Sequence, residues 1–294
     1  MNKVRRNRMS LLWFIMPFTL LYVVFFLYPF TKGLLLSFTD WNGISKTTQY
    51  VGFQNYLELF TEDSRFLHSL FVTLIFTVLN VAISNICALV LAVAIEWGSR
   101  SFRNLLRTLF FLPYVFSLVV VGFVWRLLYT EVLPKLSEQI HWQFFNLDYI
   151  GDPAIALYST IFMNIWYGIG YFLIIYLAGL QTIDTSVLEA SQIDGATGWV
   201  QFTKIIIPLL MPSITICIFT SIAGSLKIFD AIFVLTGGGP GYSTESIALN
   251  IYYEAYGAAN RFGYGMAKAV VLAGVILFIS YFQLKFFKAK EVEV

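Results

Sequence analysis

LFVTLIFTVLNVAISNICALVLAVAI, residues 70–95, contains no Asp, Glu, Lys, Arg or His. A bilayer core about 30 Å thick is crossed by roughly 20 apolar residues in helical form, and this stretch exceeds that length. Five further stretches share its character: Leu11–Leu36, Leu105–Tyr129, Ala154–Leu180, Ile205–Leu226 and Met266–Phe287. None alternates with the period of two that marks barrel strands. The chain is therefore read as an all-α integral membrane protein with six transmembrane helices.

Composition points the same way. Of the 294 residues, 58% are hydrophobic and 12% charged, against roughly 25% charged in a soluble domain. The mean hydropathy is +0.74. So little polar surface cannot coat a water-soluble body, which excludes a cytosolic enzyme and any disordered or fibrous class. A net charge of +2 leaves no electrostatic footprint for nucleic acid. Cys87 and Cys217 sit inside apolar stretches as small hydrophobes and imply no disulfide framework. The first stretch follows Lys3, Arg5, Arg6 and Arg8, but it is longer than a signal core and ends in Tyr28-Pro29-Phe30 without a small-residue cleavage site, so it reads as a retained span.

Basic residues set the orientation. The N-terminal tail, the 96–104 turn (counted through Arg107), the 181–204 loop and the C-terminal tail hold 11, and the alternate loops hold 5. Positive-inside counting places both termini in the cytoplasm. The 181–204 loop contributes only Lys204, so its side follows from the parity of six spans. Pro17 and Pro29 in the first span, Pro113 in the third, and Gly168 and Gly170 in the fourth read either as kinks or as ordinary membrane-helix composition. In the first outer loop Phe53, Tyr56, Leu57 and Phe60 recur at helical spacing, which predicts a short interfacial helix. No linker divides the chain, and a single transmembrane domain over 1–294 is expected.

The chemistry of an enzyme is absent. No phosphate-binding Gly-x-x-x-x-Gly-Lys-Ser/Thr sequence occurs, His68 and His141 stand alone, and there is no nucleophile elbow and no intramembrane carboxylate pair. A proton-coupled carrier accepts a cost of roughly 2.5–3.5 kcal/mol per buried charge to build a relay, and no relay is present. An ion-driven secondary carrier and an intramembrane enzyme acting on lipid-linked sugars are both disfavoured on these grounds.

The loop after the fourth span is polar and rich in small residues. Ser186 with Glu189 makes a capping box, Gly195 suits a left-handed helix stop, Thr197 can cap a second helix, and Pro208 leads into the fifth span. Small residues (Ala190, Ser191, Gly195, Ala196, Gly198) beside Ile193, Trp199 and Phe202 suit a docking surface, although a plain helical hairpin on the inner membrane face fits the same composition.

The spacing Glu-Ala-Ala, three residues, Gly, nine residues, Ile-x-Leu-Pro resembles the EAA loop of binding-protein-dependent ABC importer permeases. Glu189, Ala190, Gly195, Ile205 and Pro208 match in register, while Ser191 replaces the second Ala and Ile207 the Leu. Phe229–Pro240 (FDAIFVLTGGGP), Ile193-Asp194-Gly195-Ala196, and Ser37-Phe38-Thr39-Asp40-Trp41 after Tyr28-Pro29-Phe30 are similar to carbohydrate-uptake members of the maltose type. The resemblance implies the type I importer permease architecture in a bacterial or archaeal cytoplasmic membrane. It implies a second homologous permease, two cytoplasmic ATPase subunits that hold ATP and Mg, an extracytoplasmic sugar-binding protein, and a sugar or oligosaccharide substrate. The chain itself would bind no cofactor. Glu189, Ala190, Ser191, Asp194, Gly195 and Trp199 would dock the ATPase through the loop at 181–208. The spans flanking that loop would supply the sugar contacts, pointing to Asn164, Trp166, Tyr167, Ser221 and Ser225. Asn164 and the serines read equally as helix cross-links, and Trp166 and Tyr167 as interface-belt residues. Lys227 and Asp230 would pair if helical, and Arg126 would snorkel. An importer of polyamine or phosphate is the rival within the family, and it would usually place charges in its cavity.

Overall fold

A computed structural model describes residues 13–289 except Ser99, Thr197 and Ala258. The basic N-terminal residues, the first two positions of the expected first span and the Thr197 cap lie outside the described residues. No strand occurs among the described residues. The principal helices are α1 (Trp13–Leu36), α2 (Gln54–Thr61), α3 (Ser64–Trp97), α4 (Arg100–Val115), α5 (Leu118–Ile140) and α6 (Ala156–Gln181). They are followed by α7 (Thr185–Ile193), α8 (Trp199–Leu209), α9 (Met211–Ser225), α10 (Asp230–Leu235), α11 (Ile247–Tyr256) and α12 (Phe262–Lys288). Packing groups the chain into two compact units, Met1–Asp63 with Ile251–Ala273, and Ser64–Asn250 with Gly274–Val294.

Among the described residues four helices, α1, α3, α6 and α12, are each long and apolar enough to cross a membrane, and the number rises to six if each of two bent pairs is one crossing. The bent pairs correct two expected spans. The crossing predicted at Leu105–Tyr129 is α4 followed by α5, turned through 96°. Ser117 is extended (ψ 136°) between them, four residues after Pro113, which removes a backbone donor from the end of α4. The crossing predicted at Ile205–Leu226 is α8 followed by α9, turned through 70° at Leu210, with Pro208 and Pro212 on either side. Pro29, by contrast, breaks nothing. A π turn at Val23–Leu27 precedes it, with the Tyr28 N–H reaching back to the Val23 carbonyl, and the widened turn absorbs the ring.

In the first unit α1 buries none of its residues. The short α2 turns Asn55 and Leu59 inward and leaves Phe53, Leu57 and Phe60 exposed, as an interfacial helix should. Asn55 Nδ2 donates to the carbonyls of Ser37 and Thr39 (2.8 and 2.9 Å), pinning the loop that follows α1. Lys268, fully buried, is neutralised by Asp63 (2.8 Å) and Glu254 (2.9 Å). Arg261 pairs with Glu58 (2.6 Å), which holds its guanidinium pKa above the usual value.

The second unit is organised by α3 against α6. Among lipid tails there is no hydrophobic drive to bring helices together, so contact is made where small and polar residues let backbones approach. On α3 the buried stripe runs through Ser69, Thr73, Thr77, Asn80, Ser84, Ala88 and Ala92, each three or four residues after the last. Gly170 on α6 serves the same end against α4: a Cβ there would lie 2.1 Å from the Phe110 carbonyl oxygen and 2.7 Å from the Phe111 Cα. Neither expected kink glycine bends α6, which runs unbroken.

Glu96, at the end of α3, closes the α3–α4 hairpin. Its carboxylate takes Arg103 Nη1 at 2.8 Å, Arg107 Nη2 at 3.1 Å and, from the end of α6, Gln181 Nε2 at 3.4 Å. Arg103 Nε and Arg107 Nε are buried without an acceptor; the two guanidiniums share the Glu96 carboxylate, and Arg103 Nη2 also donates to the Glu96 carbonyl. Glu96→Gln is expected to lower the thermal midpoint of the detergent-purified protein by an amount equivalent to about 1–3 kcal/mol. That is less than the ~3–5 kcal/mol of a fully buried pair, because both arginines keep about a quarter of their side-chain exposure. An unchanged midpoint would show that the node carries no load.

Candidate functional site

Within the second unit a cavity of about 280 Å³ opens between α3, the α4–α5 break, α6 and α9. Its two walls differ in chemistry. One is aromatic: Tyr114 at the end of α4 lies 5.2 Å from the Tyr167 ring and stacks on Tyr171 at 5.0 Å. The other carries amides and hydroxyls: Asn80 and Ser84 from α3, Asn164 from α6, and Thr220, Ser221 and Ser225 from α9. Among the described residues no Asp, Glu, Lys, Arg or His lines it.

The helix breaks make this geometry. Where α4 stops, the Phe116 carbonyl has no helical partner, and the Tyr167 hydroxyl donates to it at 3.2 Å. On the polar wall Asn80 is a hub: its Nδ2 donates to Ser225 Oγ (2.9 Å), and its Oδ1 accepts from Asn164 Nδ2 (3.0 Å) and Ser84 Oγ (3.4 Å). Asn164 spends one N–H in that bond, which leaves its carbonyl oxygen and second N–H for a solute. The cross-link and cavity readings of Asn164, Ser221 and Ser225 thus hold together, since these side chains bridge helices and line the cavity at once.

Of the five sugar-contact residues expected from sequence, the structure brings Asn164, Tyr167, Ser221 and Ser225 together around this cavity and places Trp166 elsewhere. Trp166 is turned to a lateral apolar groove with Ile83, Phe110 and Ile169 and meets Trp125 edge-on at 5.4 Å. One residue of helix is about 100° of rotation, so Trp166 and Tyr167 cannot share a wall. Asn80, Ser84, Tyr114, Tyr171 and Thr220 were not singled out from sequence. The signal existed for Asn80 and Ser84, which with Thr73, Thr77 and Asn85 are the polar residues of an otherwise apolar span.

The α7–α8 hairpin is the second candidate surface. Asp184, not Ser186, caps α7: its carboxylate accepts from the Ser186 N–H at 2.9 Å, and these bonds hold its pKa below the usual carboxylate range. Gly195 (φ +85°) ends α7, with its own N–H donating to Gln192 O (3.1 Å) and the Ala196 N–H to Ser191 O (2.8 Å), the bond pair of a Schellman stop. Glu189, Ala190, Asp194, Gly195 and Trp199 are exposed, and Ile193 stands 87% exposed. Ser191 differs from the others: it is buried, and its Oγ donates to Leu188 O (2.7 Å) and accepts from Gln201 Nε2 (2.8 Å). It staples α7 to α8 from inside, so the hydroxyl faces the hairpin and no docking partner.

Two more expectations are corrected. Lys227 and Asp230 are not on one helix, because α9 ends at Ser225 and α10 begins at Asp230; no ion pair joins them among the described residues. Arg126 donates from Nη1 to the Val234 carbonyl at 3.3 Å, tying α5 to the end of α10.

Helices of membrane-crossing length around a polar, uncharged cavity, with an ordered hairpin between the two helices that supply its wall, define a transport permease. Residues 84–290 match the family described as binding-protein-dependent transport system inner membrane component, and the chain belongs to that family. It is 34% identical over 281 residues to the probable starch degradation products transport system permease protein AmyD of Thermoanaerobacterium thermosulfurigenes, covering 96% of this chain and 94% of that one. It is 33% identical to the multiple sugar-binding transport system permease protein MsmF of Streptococcus mutans, covering 93% of each. A crystal structure of the bacterial alginate ABC transporter, in complex with its alginate pentasaccharide-bound periplasmic protein, matches with a TM-score of 0.80 at 25% identity, covering 94% of this chain and 93% of that one. The fold is that of a type I importer permease, and the chain is a multi-pass membrane transport subunit with ATP hydrolysis assigned to other subunits.

Proposed function

We propose that this chain is one permease half of an ATP-driven importer of neutral sugars or oligosaccharides in a bacterial or archaeal cytoplasmic membrane. The carrying observation is the cavity, which has a tyrosine wall facing an amide and hydroxyl wall and no ionic side chain. Sugar C–H faces pack on aromatic rings, and sugar hydroxyls exchange hydrogen bonds with groups such as Asn164 and Ser225. A polyamine or a phosphate would leave its charge unpaired there, which disfavours both. Relatives named for starch degradation products and for multiple sugars support a sugar as the substrate. A second, homologous permease completes the pathway, an extracytoplasmic binding protein delivers the sugar, and two ATPase subunits carrying nucleotide and Mg seat against the α7–α8 hairpin.

The test is sugar-stimulated ATP hydrolysis by the complex purified from native membranes, with its binding protein, in lipid nanodiscs. Neutral oligosaccharides are expected to stimulate, and uronates and sugar phosphates of equal length are not. Asn164→Leu is expected to raise the half-saturating sugar concentration about two- to tenfold, the range of one or two neutral hydrogen bonds. Stimulation by charged sugars alone would sink the reading.

A further inference from the structure

Behind the polar wall, and outside the cavity lining, lies Asn85 of α3, which is 8% exposed. All its hydrogen-bonding groups are committed to protein. Its Oδ1 accepts from the Tyr176 hydroxyl of α6 at 2.8 Å, while its Nδ2 donates to Ser221 Oγ of α9 at 3.0 Å and to its own helix at Val81 O at 2.8 Å. One helical turn outward the Asn80–Ser225 bond repeats the α3–α9 link at 2.9 Å. The two bonds form a ladder between antiparallel stretches of helix. Ser221 itself donates to Ile218 O at 3.0 Å, so Asn85 fixes its rotamer and leaves one lone pair for the cavity.

An amide in a span is costly to insert, and Asn85 is placed to touch neither lipid headgroup nor solute, so its use is internal. The helix it holds is the one the hairpin reaches. α9 follows α8 directly across the 70° bend at Leu210, and α9 carries Thr220, Ser221 and Ser225 into the cavity. Close-packed methyl groups tolerate a small slide, whereas a directional bond of 3 Å is either made or broken by it.

We propose that Asn85 is a positioning residue, a latch that holds α9 in register with the α3–α6 pair and carries movement of the α7–α8 hairpin to Ser221. The proposal rests on the reading that ATPase subunits drive that hairpin. With the latch broken, α9 leaves its resting register more easily, so the ATPase subunits close without a sugar-loaded binding protein. Measured interhelical hydrogen bonds in membranes imply a shift of about threefold on average and up to about twentyfold.

The experiment compares ATP hydrolysis and sugar uptake by the complex in nanodiscs and proteoliposomes for wild type, Asn85→Leu, Tyr176→Phe and the double variant. Asn85→Leu is expected to raise hydrolysis without the binding protein by about three- to twentyfold and to raise the ATP consumed per sugar imported, and adding Tyr176→Phe, which removes the other half of the same bond outside the cavity lining, should change neither further. Should Asn85→Leu fail to assemble, Tyr176→Phe and Asn85→Ser carry the test, with the same direction expected and a smaller rise. Wild-type basal hydrolysis and coupling ratio in assembled variants, or additive effects in the double variant, would overturn the latch. A wild-type complex that no sugar stimulates would instead overturn the importer reading, so the two failures are told apart.

Discussion

Gly170→Val is expected to abolish recovery of folded protein from membranes, while Gly168→Ala, two residues away, leaves it intact. The added Cβ at 170 falls 2.1 Å from the Phe110 carbonyl oxygen and 2.7 Å from the Phe111 Cα, and these are backbone atoms that no rotamer change can move. α4 and α6 would have to part, which breaks the tyrosine wall, since Tyr114 follows Phe111 by three residues and stacks on Tyr171 of α6. Overpacking costs roughly 1–3 kcal/mol where side chains can give, and more where only backbone stands in the way. At Gly168 the nearest atom to a new Cβ is 3.8 Å away, an ordinary contact. The check is the yield of monodisperse protein after mild detergent extraction. Normal yield and melting for Gly170→Val would mean that the α4–α6 approach is not as close as described.

The second large effect is expected at Gly195, and it leaves folding alone. A Cβ there meets nothing within 4 Å, so the cost is purely that of holding a left-handed φ of +85°. That is about 1–2 kcal/mol for an ordinary residue, less for Asn, and more for a β-branched one. Gly195→Val should insert and keep its cavity, yet lose the Schellman stop that sets the angle of α7 on α8. ATP-driven uptake is expected to fall by at least about tenfold, the equivalent of 1.4 kcal/mol in docking. The order should be Gly, Asn, Ala, Val, from most to least active. Uptake independent of the residue at 195 would argue that the hairpin has no part in coupling.

Much of the architecture is readable from residue order because a bilayer imposes it: long apolar stretches must be helices, and α3, α6 and α12 are unbroken helices over three of those stretches. What resists reading is the inward face. In water the buried side of a helix is its oily side, but residues 70–95 are oily all round, and burial follows Asn80, Ser84, Ala88 and Ala92 instead. Asn80 and Asn85 were therefore passed over although they organise the polar wall. The two broken crossings escaped for another reason. Pro113 and Pro208 are compatible with a kink or a full break, and only the extended Ser117 and the turn at Leu210 decide between them. The hairpin was legible to the residue at Gly195, yet its cap moved two positions to Asp184, because two good capping residues lie within one turn. The likeness to known permeases pointed to the α6 and α9 contacts, and helical rotation alone removes Trp166 from them.

The helix α1 runs for 24 residues and gives none of them to the interior of its own chain. No neighbouring side chain in this chain therefore dictates the volume of Phe14, Phe18, Phe25 or Leu35, and swaps among large apolar residues there should pass unnoticed. What α1 does answer to is length. A membrane a few ångströms thicker would demand another turn of helix or less tilt, at a cost of fractions of a kcal/mol per ångström of mismatch. The first crossing is thus constrained by its length rather than by contacts within its own chain.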